Sequence, residues 1–437
     1  SKMFLIVSKF MGENTRTFNL AKYGFKVYGS YDDVFVPLCI LSNIFSSLRY
    51  ERYFYNGKAV YQTSHDGNIY YDSSKGYVSF YESDWFKDSA GNLKERPEAL
   101  IDYSYNLLRF THDYLYGHSG YYGFADDGNG YPVETTVAAA DALDFDQMMI
   151  QYAGDVRTLL LSSSYKDYIT GLTALFFMVY GDVHTGMTAK QDFISVNDMI
   201  TNYGTAFIYS KKLLMHSATD ERLTEWREAA RSSKSSAATY IPTISETTIP
   251  SFEVIDSNKT AIIRFDRFNV DSAGWSAYYN GSPSANPDPA TVTLPDDTIG
   301  IFYKAFYALE NDENYKNSVK NVVIDISCNG GGDSDALNFA LACLLDPQSA
   351  SMLEYDVISG GKKTYTAYCD LNLDGVIDSN DKKKDYNFAV YTSLLSFSCG
   401  NIMPCICSDK GIKIIGQRSG GGSCLVRHGC TADGFPY

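Results

Sequence analysis

The stretch NVVIDISCNGGGDSDALNFALACLL (321–345) runs from an apolar strand through Gly330, Gly331 and Gly332 into an apolar-faced helix. Three side chains are missing where a strand meets a helix, so something must approach the backbone closely there. Open α/β sheets bind ligands at that end of their strands, and bare amides can cradle negative charge. No Lys-Ser/Thr follows the glycines and their spacing is not GxGxxG, so a nucleotide phosphate loop is excluded. A tight turn built for close packing fits the loop equally well. A second stretch, FAVYTSLLSFSCGNIMPCIC, brings Ser398 to a turn between a strand and a short helix. A serine so placed exposes its hydroxyl and lays neighbouring amides against an attacked carbonyl. The third element is VYGDVHTGM, with His184 after an apolar helix. A serine hydroxyl needs an adjacent base, and histidine is the side chain poised near neutral pH. Singly, each residue is also ordinary: one serine among many, and one of six histidines.

Together the three segments resemble one family. VVIDISCNGGG resembles the strand-and-loop signature of the C-terminal-processing (tail-specific) serine peptidases, usually D-[LIV]-R-x-N-x-G-G. The segment SFSCGNIMPCICSDKGIKIIGQRSGGG resembles their nucleophile region, and GDVHTG resembles the Asp-x-His-Thr segment of the tricorn-like, histidine-using branch. The resemblance covers about 255–425 plus the segment around His184. It implies an α/β catalytic domain, crotonase/ClpP-like, with a mainly parallel sheet and helices. It implies Ser398 as nucleophile, His184 as general base, and the amides of Cys399 and of Gly331 or Gly332 as oxyanion hole. Substrates would be peptides or unfolded proteins. Three departures matter. Ser423 stands where the other branch has its catalytic lysine, which favours histidine. Val183 replaces the serine that precedes the histidine, leaving Asp182 as the nearest acidic partner for His184. Ser327 replaces the signature arginine. No PDZ-like segment is evident, so recognition of a free C-terminus is not implied.

CDLNLDGVIDSNDKKK has calcium-loop spacing. Asp370, Asn372 and Asp374 fall at positions 1, 3 and 5, Gly375 at 6, the Val376 carbonyl at 7, Asp378 at 9 and Asp381 at 12. Asp at position 12, in place of Glu, has a shorter reach. The flanks read as strands, so the loop is an insertion in the α/β domain and the calcium would be structural. No organic cofactor is indicated.

The net charge is −15, which argues against nucleic acid and anionic membrane. No apolar run is long enough to span a bilayer, and the initial SKMFLIVSKFMGENT reads as a strand. Eight of the nine cysteines follow residue 327, in apolar contexts. They read as small core residues, with one or two disulfides left open. The 36 tyrosines suit an extracellular or cell-envelope protein, with any signal peptide already removed.

Three parts follow from the periodicities: a β-rich segment (1–96), a mainly helical domain (97–240) carrying His184, and the α/β domain (241–437) with the loop 370–381 inserted. PLCILSNIFSSL reads as a short helix, and Asn56-Gly57 as a two-residue hairpin turn. DFDQMMIQYAGDVRTLLLSS and SYKDYITGLTALFFMVY read as helices, and one or two more are expected in 195–233. The leading function is a serine endopeptidase acting on exported or cell-surface proteins. The alternative is an inactive relative that binds peptide or glycan at a surface. A crotonase-like acyl-CoA enzyme is disfavoured, because no basic cluster for the CoA phosphates lies near the glycines.

Overall fold

A computed structural model of the chain describes residues 3–11, 16–46, 52–55, 60–63, 69–72, 76–79, 88–117, 143–180, 184–187, 251–346, 351–356, 358–424, 426–435 and 437. The chain divides into two compact units, one formed by Ser1–Glu13, Ser217–Tyr355 and Gly361–Ser423, the other by Asn14–His216, Asp356–Gly360 and Cys424–Tyr437. These boundaries cut across the three parts drawn from the sequence. The first strand joins the α/β unit, and the last fourteen residues join the helical one.

In the first unit, twelve elements are numbered here in chain order: β1 (Phe4–Phe10), β2 (Phe252–Ile255), β3 (Thr260–Arg264), α1 (Ser272–Asn280), α2 (Thr298–Asn311), β4 (Asn321–Asp325), α3 (Ser334–Leu344), β5 (Ser351–Tyr355), β6 (Lys362–Cys369), β7 (Asn387–Thr392), α4 (Cys399–Asp409) and β8 (Lys413–Gly416). The main sheet runs β8-β7-β4-β3-β2. Its neighbours are parallel except the edge pair β2–β3. This is the mixed α/β architecture with a mainly parallel sheet that alternating strands and helices predict. Val322 and Ile324, alternate residues on one face of β4, are fully buried. Asp297 caps α2 by accepting from Gly300 N at 2.8 Å, and Asp333 caps α3 by accepting from Asp335 N at 2.8 Å. β1 is paired antiparallel with β6, which also pairs with β5.

The second unit packs helices Glu98–Leu115, Phe145–Tyr152, Gly154–Leu160 and Tyr165–Ala174, the last continuing as a π-turn over Leu175–Val179. The single helix expected across 144–163 is two, broken at Ala153 (φ −143°, ψ 44°) just before Gly154. The short helix near residue 40 is Leu38–Leu41 followed by a π-turn, Ser42–Ser46. The strands around the expected hairpin pair with Tyr55 opposite Val60, and Asn56-Gly57 lies outside the described residues. The helices expected in 195–233 lie outside the described residues. The closing segment threads this core. Phe435 is buried against Tyr168. Asp433 is fully buried with Arg96 at 3.2 Å and also accepts from Ser104. Arg96 stacks over the Tyr168 ring at 3.6 Å and donates to the carbonyls of Leu160 and Ser162.

Removing one partner of a buried pair strands the other charge without water. Asp433→Ala should therefore cost about 3–5 kcal/mol, read by urea unfolding of the whole chain. An Arg96→Met/Asp433→Leu double variant should cost less than Asp433→Ala alone.

Candidate active site

The site is built where β4 and β7, parallel neighbours, both end and turn toward helices. Tyr391 O accepts from Ile326 N at 3.0 Å, so the strands stay paired into their turns. The two turns are then sewn together. Ser396 Oγ donates to Ile326 O at 2.8 Å, Ser393 Oγ to Ser327 O, and Phe397 N to Asn329 O at 3.0 Å. Asn329 is fully buried. Its amide group donates to Phe265 O at 3.1 Å, and its Oδ1 accepts from Gly331 N at 2.9 Å.

This sewing leaves no room for side chains. Gly331 and Gly332 have φ of 101° and 134°, a region L-residues rarely enter. A Cβ on Gly331 would lie 2.5 Å from Ser398 Cβ and 2.8 Å from Phe397 O; one on Gly332 would collide with Phe268 O. The glycines are bare because the backbones of the Phe268 and Ser398 segments occupy that space.

Ser398 sits directly before α4 with φ 56° and ψ −120°. A non-glycine residue held at positive φ stores strain, and such strain gathers at functional turns. The side chain is half-buried and does not cap the helix. Among the described residues of this unit its hydroxyl has no hydrogen-bond partner. Its own amide is used, donating to Gly421 O at 3.0 Å. Two nearby amides, Gly332 N and Cys399 N, find no backbone acceptor among the described residues of the unit; both are turned onto the Cys399 thiol. The backbones carrying them are adjacent, since Cys399 Sγ donates to Gly332 O at 3.2 Å. The Gly331 amide, by contrast, is taken by Asn329. Burial, then the Asp333 charge, pushes the Cys399 thiol up to about 11, so it stays protonated at neutral pH.

Ser423, at the position of the other branch's lysine, receives a hydrogen bond from Asn401 Nδ2, and Ser419 Oγ donates to Asn401 Oδ1 at 2.6 Å. Ser327, in place of the signature arginine, donates from Oγ and N to Asp325 Oδ1 at 2.7 and 3.1 Å. A guanidinium reaches that carboxylate from the next strand: Arg264 Nε donates to Asp325 Oδ2 at 2.8 Å, and Nη2 to Glu253 at 3.0 Å. Asn329 falls at the Asn of the quoted strand-and-loop signature, while Arg264 and Asn401 were not singled out from the sequence, because a buried polar partner on another element carries no spacing signal.

His184 belongs to the second unit. It is half-buried, with Cys424 Sγ 3.5 Å from its Nδ1. Asp182 and Val183 lie outside the described residues. All nine cysteines are free, six of them buried, which agrees with their reading as small core residues. The residues with calcium-loop spacing share the loop between β6 and β7. Burial, opposed by hydrogen bonds from Gly375 N and Tyr279 and reinforced by Asp381 and Asp374, pushes the Asp370 carboxyl up to about 6.

Ser398 thus stands at a strained strand-to-helix turn beside the backbone N–H groups of Gly332 and Cys399. Residues 292–431 match the model of Peptidase family S41, which supports a serine-type peptidase. No curated protein matches the chain. Among solved structures it is similar to a photosystem II D1 C-terminal processing protease, at 18% identity over 44% of this chain and 42% of that one, TM-score 0.27. It is also similar to a lipoprotein from Streptococcus agalactiae, at 15% identity over 62% and 81%, TM-score 0.27. A third similar structure, from Parabacteroides merdae and described as a peptidase candidate, shows 14% identity over 64% and 70%, TM-score 0.38. The chain thus spans under half the length of the first of these.

Gly332→Ala forces a Cβ against a carbonyl at a forbidden φ. It should cost about 2–3 kcal/mol or more, measured by denaturant unfolding. Ser398→Gly should go the other way, raising stability by about 1 kcal/mol as the positive-φ strain is released.

Proposed function

We propose that the chain is a serine endopeptidase of the histidine-using branch, cleaving peptide bonds in exported or cell-surface proteins. The observation that carries the proposal is Ser398 at φ 56° at a strand-to-helix turn, beside the backbone N–H groups of Gly332 and Cys399. The reading of His184 as base rests on the GDVHTG motif and on Ser423 standing where a lysine would be. The export reading rests on composition alone.

In this reading Ser398 Oγ attacks the scissile carbonyl carbon while His184 takes the hydroxyl proton. The carbonyl oxygen becomes an oxyanion held by Gly332 N–H and Cys399 N–H, rigid donors that cost no reorganisation. His184 returns the proton to the leaving amine as the C–N bond breaks, leaving an ester on Ser398. A water then attacks the ester, with His184 taking its proton and Ser398 Oγ leaving as the alcohol. Cys424 Sγ, close to His184 Nδ1, is the neighbour that would steady the ring in place of a carboxylate. Gly331 is not a donor here: with its N–H bonded to Asn329, its role is to let the two turns meet.

Hydrolysis of a peptide library by the whole chain, with calcium present, tests this. Ser398→Ala should lose activity by several orders of magnitude, with only oxyanion and binding contributions surviving, and should change stability by no more than about 1 kcal/mol. His184→Ala should lose a comparable factor, and the double variant no more than either, because the pair acts as a unit. Ser423→Ala should do little. Wild-type turnover in Ser398→Ala, or its loss in Ser423→Ala alone, would place the nucleophile elsewhere. A folded wild type with no hydrolysis would favour the peptide- or glycan-binding alternative.

A further inference from the structure

The loop between β6 and β7 is more elaborate than a connection of parallel and antiparallel strands requires, and its interior is charged. Asp370 is fully buried. Its Oδ2 accepts from Gly375 N at 2.7 Å and from Tyr279 OH at 3.0 Å. Its Oδ1 is buried with no hydrogen-bond partner. A buried carboxylate oxygen without a donor is expensive, and the groups acting on Asp370 among the described residues are the Gly375 amide, the Tyr279 hydroxyl and two further carboxylates, Asp381 and Asp374, with no basic side chain among them.

The backbone around it is wound as a cation loop. Gly375 (φ 85°) and Leu373 (φ 63°) turn the chain through left-handed conformations. Asp381 Oδ1 accepts from Leu371 N and Asn372 N at 2.7 and 3.2 Å, and its Oδ2 from Asp378 N at 2.8 Å. That draws position 12 back over positions 1 to 3. Asp381 Oδ2, with one donor, keeps a lone pair to offer. The Val376 side chain is exposed. Among the described residues no three His, Cys, Asp or Glu side chains already stand together as a metal site. The Asp374 oxygens are turned onto Val376 N and the Asn372 amide, and two of the loop's oxygens come from Asn372 and a backbone carbonyl.

We infer that this loop binds one structural calcium ion through Asp370 Oδ1, Asn372, Asp374, the Val376 carbonyl and Asp381, with Asp378 acting directly or through water. An all-oxygen set with four carboxylates is hard-cation chemistry, and a wound loop of this many oxygens suits calcium's larger, looser shell over magnesium's strict octahedron. The ion ties together parts of the first unit that are distant in sequence. Leu371 and Leu373 are buried in its core. Leu373 O accepts from Tyr278 OH at 2.9 Å, Asn372 O from Asn286 N at 2.7 Å, and Asp370 N donates to Met3 O at 3.0 Å. The loop then leads into β7 and so to the Ser398 turn.

The test uses the whole chain stripped with a chelator and does not depend on peptidase activity. Calorimetry with calcium chloride should show one ion per chain. Thermal unfolding should rise by several degrees with calcium and fall back with chelator, as expected of a ligand that binds only the folded state. Terbium should bind in calcium's place and luminesce when tyrosine is excited, because Tyr279 abuts Asp370. Calcium should quench that signal, and Tyr279→Phe should weaken it. Asp374→Ala, a half-exposed position, should stay folded and lose on the order of tenfold or more in calcium affinity. Asp370→Asn should lose the calcium response yet unfold no earlier than wild type in chelator, since it removes a buried, repelled charge. No heat and no chelator effect on folded wild type would overturn the inference. So would an equal shift with magnesium, or an undiminished calcium response in both variants.

Discussion

Two chain turns meet in the first unit at a distance that only bare backbone allows, and the rest of the site follows from that approach. Gly331 lies against Ser398, and Gly332 against Phe268. Gly400, the second residue of α4, leaves no space for a Cβ before Asn329 O. Two separate segments, around Phe268 and around Ser398–Gly400, thus press on the turn after β4. Crowding of this kind fixes the serine at positive φ and leaves the Gly332 and Cys399 amides only the Cys399 thiol, a weak acceptor, to bond.

The support beneath is polar and buried. Asn329 spans from Phe265 O to Gly331 N, and Ser393 and Ser396 hook the second turn onto the carbonyls of the first. Arg264 lies one strand further in, between Glu253 and Asp325. Its guanidinium approaches the Asp325 carboxylate from β3, while Ser327 binds the other carboxylate oxygen from β4's own turn. Buried ions gain little net stability over apolar packing, and removing one partner is what costs. Their consequence here is positional: the ends of β2, β3 and β4 are tied at one level beneath the glycines.

Much of this was legible because the signals are local. A strand, a run of glycines and an apolar helix follow each other within 321–345, and a Ser at a strand-to-helix turn is a pattern within ten residues. The parallel pairing of β3, β4, β7 and β8 follows from alternation, and the strand-like flanks of the loop 370–381 were readable as such. What escaped depends on distance along the chain. The pairing of β1 with β6 spans most of the sequence, with Phe4 opposite Cys369, and no composition shift announces it. The same holds for Asp433 inside the helical unit, and for Cys424 beside His184. The break at Ala153 was missed because the apolar period continues across it. Gly331 and Gly332 look alike in sequence, and only the structure separates them: the Gly331 amide bonds Asn329, the Gly332 amide the Cys399 thiol.

The central proposal is that Ser398 is the nucleophile, with the Gly332 and Cys399 N–H groups beside it as oxyanion donors. A fluorophosphonate reagent reads this directly, since its phosphoryl oxygen occupies the same donors as an oxyanion. Peptide mapping of the labelled whole chain by mass spectrometry should find one adduct, on Ser398, and none after Ser398→Ala. Adduct on another residue, or no adduct on a chain shown to be folded, would contradict the account.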